Sequence, residues 1–222
     1  YFDTALNYQN ASALLAGILP KNKRVITKIA IPKNVKNYFD YIIYKISKSL
    51  EEFETNKFYA VLLHNSENLK YSNKRKIIDA LDYLKKIGKI EKFGLSIYSL
   101  KELDKFYNFL KPEVIQIPLN LFDQRLLKSK WLKILNKNKV EIHARSIFLQ
   151  GALLESKLPF KASENIYKHW IKWKNWQIKN KIKSFEACMQ FINQQKEIDK
   201  IVFGVDNLNQ LKQILNFKVK KN

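Results

Sequence analysis

The chain has 222 residues, 46% hydrophobic and 13% aromatic, and its 41 Lys and Arg against 20 Asp and Glu give a formal charge of +21. That much apolar matter excludes a disordered basic tail. One cysteine excludes a disulfide framework and fits a reducing, cytoplasmic setting, and no apolar run nears the roughly 20 residues that span a bilayer. Only four of the basic residues are Arg, whereas Lys, Asn and Ile, all with AT-rich codons, number 37, 21 and 25. Composition bias therefore accounts for the charge better than a polyanion surface does, and no specific nucleic-acid partner and no membrane partner is expected.

In chain order, Phe2-Asp3 reads as the tail of a strand. Apolar, β-branched runs follow at 24–30, 58–64, 92–96, 114–117, 140–146 and 201–204. Helical patterns lie at 35–53, 73–87, 100–110, 126–135, 185–198 and 208–215. This alternation predicts βα units on a parallel sheet. Seven strands at about 31 residues per unit make an α/β (β/α)8 barrel lacking its first β/α unit, in one domain over residues 1–222. The chain opens on Tyr1 with no Met, so an N-terminal portion is expected to precede it. Between residues 148 and 182 the rhythm breaks, and Trp170, Trp173 and Trp176 recur along a predicted extra helix. They serve either to fasten that helix or to line a substrate mouth.

Four reactive side chains stand at or near the C-terminal ends of the first strands: Asp3, Tyr8, Lys28 and His64. Strand side chains alternate, so Ile26 shares a face with Lys28, and Leu62 with His64. If the apolar partners point inward, the polar ends do too. A buried lysine needs a counter-ion, and Asp3 is the obvious one. The Lys28 charge would make the Tyr8 phenol more acidic and a usable proton donor, with His64 orienting a carbonyl oxygen.

These residues resemble the aldo-keto reductases. Phe2-Asp3-Thr4-Ala5-x-x-Tyr8, Thr27-Lys28, Leu62-Leu63-His64, Phe93-Gly94-Leu95-Ser96 and Gln116 with Asn120 are similar, in order, to five motifs of that family. The resemblance covers nearly the whole chain. It implies a (β/α)8 barrel that transfers hydride between a nicotinamide cofactor, NADP or NAD, and a small-molecule carbonyl substrate. Tyr8 would protonate the alkoxide, Lys28 and Asp3 would tune it, and His64 would position the substrate. Ser96 and Gln116 would hold the nicotinamide carboxamide. Arg145, Ser146, Gly204 and Asp206 fall in the remaining cofactor-binding segments.

Two departures are visible. Ile97 stands where the family has Asn, which removes a carboxamide contact, and Arg145 stands where a group stacks on the nicotinamide. The string Arg145-Ser146-x-Phe148-Leu149-Gln150-Gly151 is similar to a bacterial branch associated with surface polysaccharides, which hints at sugar-linked substrates. Near Gly204-Val205-Asp206-Asn207 no Arg or Lys awaits a 2′-phosphate. Asp206 either accepts from a free ribose hydroxyl, favouring NAD, or caps the following helix.

The remaining reactive residues read as structural. Glu141, His143 and Arg145 share a face as a polar column or a solvated edge, His169 reads as a surface residue, and Cys188 reads as core filling. Asn65, Ser66 and Glu67 read as turn formers. No metal site is expected, because three scattered histidines lack ligand spacing. Two functions stand: an active reductase, or a degraded barrel of the same family that acts as a binding or regulatory protein.

Overall fold

The structure, a computed structural model, describes residues 1–8, 11–20, 22–70, 74–158 and 163–219. The expected start of a helix at residue 73 and the Pro159-Phe160 step lie outside them. The strands are β1 (Phe2–Asp3), β2 (Val25–Ile29), β3 (Phe58–Leu63), β4 (Ile90–Ser96), β5 (Val114–Pro118), β6 (Glu141–Arg145) and β7 (Lys200–Ile201). Their order in the sheet is their order in the chain. The pairs from β1 to β5 are parallel, with Lys28 opposite Leu62, Leu62 opposite Gly94, and Ser96 opposite Gln116. Helices α1 (Ala11–Ile18), α2 (Tyr38–Glu52), α3 (Lys74–Lys86), α4 (Leu100–Leu110), α5 (Lys130–Lys137), α6 (Glu164–Asn180), α7 (Ser184–Asn193) and α8 (Leu208–Leu215) intervene. This is the α/β architecture of the β/α barrel, as the alternation predicts. No helix among the described residues is long and apolar enough to cross a membrane.

Local chemistry sets the boundaries. Asn37 caps α2 by accepting from the Phe39 N–H, and Ser99 caps α4 in a reciprocal box with Glu102. Lys111 ends α4 in a left-handed conformation, which lets its N–H reach the Tyr107 carbonyl. The structure departs from expectation at several boundaries, among them α7, which ends at Asn193 rather than 198, and at three further places. Helix α1 is nearly all apolar and offers no period to read. Helix α5 starts at Lys130 rather than 126, because the Leu126 carbonyl is taken by Ser129. Strand β7 stops at Ile201 instead of running to residue 204.

The chain divides into two compact units, Tyr1–Ile117 with Lys130–His143, and Pro118–Ser129 with Ala144–Asn222. In the first unit, the sheet face that carries the site has a floor of Ile26, Ala60, Leu62 and Val114. Gly94 belongs to that floor without a side chain, since a Cβ there would sit 1.8 Å from the Val114 carbonyl oxygen. The glycine thus permits a backbone approach that no other residue allows. In the second unit, Trp170 and Trp173 pack with Leu153, Ala187 and Cys188, while Trp176 is exposed and stacks on Trp173. The tryptophans at 170 and 173 fasten the extra helix.

Candidate active site

The two-residue period of the strands lifts Asp3, Lys28, His64, Ser96 and Gln116 above the apolar floor at the C-terminal ends of β1 to β5. Lys28 is 2% exposed. Its Nζ donates to Asp3 Oδ1 and, at 3.1 Å, to the Thr4 carbonyl. An ammonium this deep costs several kcal/mol unless it is paired, so the Asp3 contact is a condition of folding as well as a feature of the site. The second carboxylate oxygen, Oδ2, accepts from Gln116 Nε2 at 2.7 Å. Spacing predicts the Asp3–Lys28 pair but not the Gln116 contact, which joins residues far apart in the chain.

Tyr8 lies in the turn after β1, its N–H donating to the Ala5 carbonyl at 3.0 Å. Its ring is 48% exposed and meets the His64 imidazole edge-on, with centroids 6.1 Å apart. His64 is half-buried, and its N–H continues the β2–β3 ladder to the Ile29 carbonyl at 2.9 Å. A buried acid–base pair thus shares the strand ends with a partly exposed phenol and imidazole in ring contact. That combination can move a proton to a bound oxygen atom.

The loops that carry these groups are braced by residues that sequence reasoning assigned to no role. Asn68 is buried and binds both main-chain groups of Ile31, donating to its carbonyl at 2.7 Å and accepting from its N–H at 3.4 Å. Glu102 accepts at Oε1 from the N–H groups of Tyr98 (2.8 Å) and Ser99 (2.9 Å), and at Oε2 from Ser66 Oγ. It ties the loop after β3 to the loop after β4. The Ser99-x-x-Glu102 spacing signals the cap but not the link to Ser66. As expected, Asn65 is a turn former, its Oδ1 accepting from the Glu67 N–H.

Ser96 is 3% exposed and stands in register with Gln116. The Ile97 side chain is fully buried, so it offers nothing polar at the position where Asn was compared. A hydroxyl and an amide side by side at strand ends do fit a carboxamide, which has both donor and acceptor atoms.

The second unit carries the other residues assigned to the cofactor. Arg145 and Ser146 are half-buried, with Arg145 Nη1 3.4 Å from Ser146 Oγ. Ser146 is left-handed (φ 56°), and its carbonyl accepts from Asn120 Nδ2 at 3.0 Å. Asn120, 1% exposed, also caps the turn at Phe122 and Asp123. Gly204 and Asp206 are exposed. Asp206 is not the cap of α8: Asn207 is, its Oδ1 accepting from the Gln210 N–H at 3.0 Å. Asn207, next to the helix, has the extended backbone (φ −156°, ψ 167°) that a cap needs. Cys188 is 1% exposed and its thiol is pushed up to about 12 by burial, which makes it an inert core group. His169 is exposed and bonded to the Asn165 carbonyl.

At the opposite ends of the strands, in the first unit, Glu141 accepts from Lys92 Nζ, Tyr59 Oη and, at 2.9 Å, His143 Nε2. His143 is fully buried. Since a carboxylate only accepts, Nε2 carries the proton. Glu141 and His143 therefore belong to a structural polar cluster.

Among solved structures, the fold is similar to an aldo-keto reductase from Bacillus halodurans, in apo and holo forms, with TM-score 0.80, 18% identity, and coverage of 100% of this chain and 77% of that one. A glycerol dehydrogenase from Gluconobacter oxydans gives TM-score 0.73 at 17% identity, covering 98% of this chain and 76% of that one. No curated protein matches the chain by sequence. The sequence profile of the Aldo/keto reductase family matches residues 1–220. The motif order along the sequence and the strand ends on which those motifs fall agree with that match, and the chain belongs to the aldo-keto reductase family of oxidoreductases.

Proposed function

We propose that the chain reduces a small carbonyl compound (an aldehyde, a ketone or a sugar-linked carbonyl) with NADP or NAD as cofactor, and that Tyr8 is the proton donor. The observation that carries the proposal is a lysine 2% exposed, bound to Asp3, on the same strand ends as an exposed phenol in contact with His64. Bound nicotinamide supplies the hydride. The chain's own residues supply the rest. Tyr8 delivers a proton to the carbonyl oxygen as negative charge develops there. Lys28 favours the phenolate that remains, Asp3 keeps Lys28 charged and in place, and His64 orients the substrate oxygen. Ser96 and Gln116 are assigned to the carboxamide, and Arg145, Ser146, Gly204 and Asp206 to the cofactor on the strength of the family resemblance.

Asp206, exposed and not capping α8, supports a weaker NADP preference than is usual in the family, since a carboxylate repels a 2′-phosphate and accepts from a free ribose hydroxyl. The buried Ile97 favours the second reading, a barrel without turnover that serves as a binding protein. Fluorescence titration of the chain with NADH and with NADPH tests the proposal. Saturable micromolar binding with NADH equal or stronger is expected; no binding of either to a folded chain would overturn the reductase reading, and a strong NADPH preference would overturn the role of Asp206.

A further inference from the structure

We infer that Gln116 is a positioning residue for the Asp3–Lys28 pair, holding the Asp3 carboxylate so that one oxygen is reserved for the lysine. Its catalytic consequence rests on the proposed reductase reading; its geometric content does not.

Strand β1 has two residues, and its pairing with β2 fixes the Asp3 backbone only at Ile26. The Asp3 side chain is 20% exposed and Lys28 on β2 binds one of its oxygens, so the other is oriented only if something beyond β2 restrains it. Gln116 is that restraint. It is 1% exposed, its backbone is clamped where the Ile97 N–H donates to its carbonyl at 2.9 Å, and its Nε2 reaches Asp3 Oδ2 at 2.7 Å. The orientation of the amide is not ambiguous, because a carboxylate accepts and only the nitrogen end of the amide donates. The two residues lie on strands separated by three others in the sheet order, so the contact closes the site across the face of the first unit.

The type of donor matters. A second cation at Oδ2 would compete with Lys28 for the Asp3 charge, and an apolar side chain would leave a carboxylate oxygen without its hydrogen bond. A neutral amide satisfies Oδ2 and leaves the pair electrically balanced. Among the described residues, Lys28 from β2 and Gln116 from β5 bind the carboxylate, and Tyr8, His64 and, in the loops after β3 and β4, Glu102 are further titratable groups at this end of the sheet.

The test uses the 222-residue chain with Gln116→Met, which keeps length and removes the donor, and Gln116→Glu, which is isosteric. The first readout is the chemical shift of the Asp3 carboxyl carbon by NMR without cofactor. In Gln116→Met that resonance should be displaced, because Oδ2 loses its donor. The second readout is turnover against pH at saturating cofactor. Gln116→Met should lower kcat roughly tenfold, as expected for a lost hydrogen bond to a charged group, beyond any weakening of cofactor Kd that follows from its assignment to the carboxamide. Gln116→Glu should regain activity toward acid pH, where its protonated carboxyl donates to Asp3 as the amide does.

An unchanged Asp3 carboxyl resonance, with kcat at saturating cofactor equal to wild type, would show that Gln116 serves only the cofactor and would overturn the inference. If Gln116→Met does not fold, Gln116→Glu decides alone: a displaced Asp3 resonance supports the contact, and one identical to wild type overturns it. Failure of the wild type to bind either nicotinamide would sink the reductase reading while the carboxyl resonance still decides this one.

Discussion

Both ends of the strands in the first unit hold a lysine bound to a carboxylate, yet they differ in what is left over. At the C-terminal ends, Lys28 is sealed beneath Asp3, and the groups nearest solvent are a phenol and an imidazole. At the N-terminal ends the arrangement is inverted. Lys92 is 31% exposed and the Glu141 carboxylate is saturated by three donors, Lys92, Tyr59 and the fully buried His143. Each cluster contains a tyrosine, a histidine, a lysine and an acid. Residue type therefore does not separate a reacting site from a structural one. What separates them is whether a phenol and an imidazole face outward while the ion pair stays inside.

The largest expected effect comes from Tyr8→Phe. Loss of a general acid costs about two to four orders of magnitude in turnover, while an exposed hydroxyl contributes little to folding, so the Tm should be unchanged. Turnover that survives the substitution would equate the two ends and remove Tyr8 as the proton donor, whereas a wild type without turnover would favour the binding-protein reading. Next in size is Gly94→Ala, midway between Lys92 and Ser96 on β4. A Cβ 1.8 Å from the Val114 oxygen cannot be accommodated without parting β4 from β5. A loss of about 3 kcal/mol or more in urea unfolding is expected, in the class reserved for steric or core defects. A variant with wild-type stability would mean that the strands do not approach so closely.

The smallest effect sharpens the contrast. Glu141→Leu leaves three donors short of an acceptor and should cost about 2 kcal/mol, moderated by the exposure of Lys92, with turnover within about twofold of wild type. A pH signature accompanies it. Burial pulls the Lys92 ammonium down, but hydrogen bonds to Glu141 and Tyr59 and their charges outweigh burial, so it titrates above its ordinary range. A raised folded value contributes stability that is complete below the ordinary lysine value, about 10.4, and is lost as pH rises above it. Urea midpoints at pH 7, 10 and 11.5 should therefore fall more steeply in the wild type than in Glu141→Leu. Parallel curves would remove Lys92 from the account.

The parallel βα order and the placement of Asp3, Tyr8, Lys28 and His64 were legible because each depends on a short-range pattern, two-residue alternation within a strand or a motif a few residues long. Helix α1 was not legible, since Ala-Ser-Ala-Leu-Leu-Ala-Gly-Ile has no polar face to set a period. The contacts that brace the site were also hidden. Gln116 on Asp3, Asn68 on Ile31 and Ser66 on Glu102 join separate loops and strands, and no local pattern announces a partner dozens of residues away. At Asp206 and Asn207 two residues of capping type stand side by side, and the sequence does not show that Asn207 is the one that accepts from the Gln210 N–H.

Glu102 has two oxygen atoms and three donors, drawn from the segments that follow His64 and Ser96. A shared acceptor of this kind works as a mechanical coupling. Neither segment can withdraw without loosening the hold on the other, so opening of the loop after β3 and opening of the loop after β4 become one motion. Exchange of the Tyr98 and Ser99 amide hydrogens should then report on the loop that carries His64.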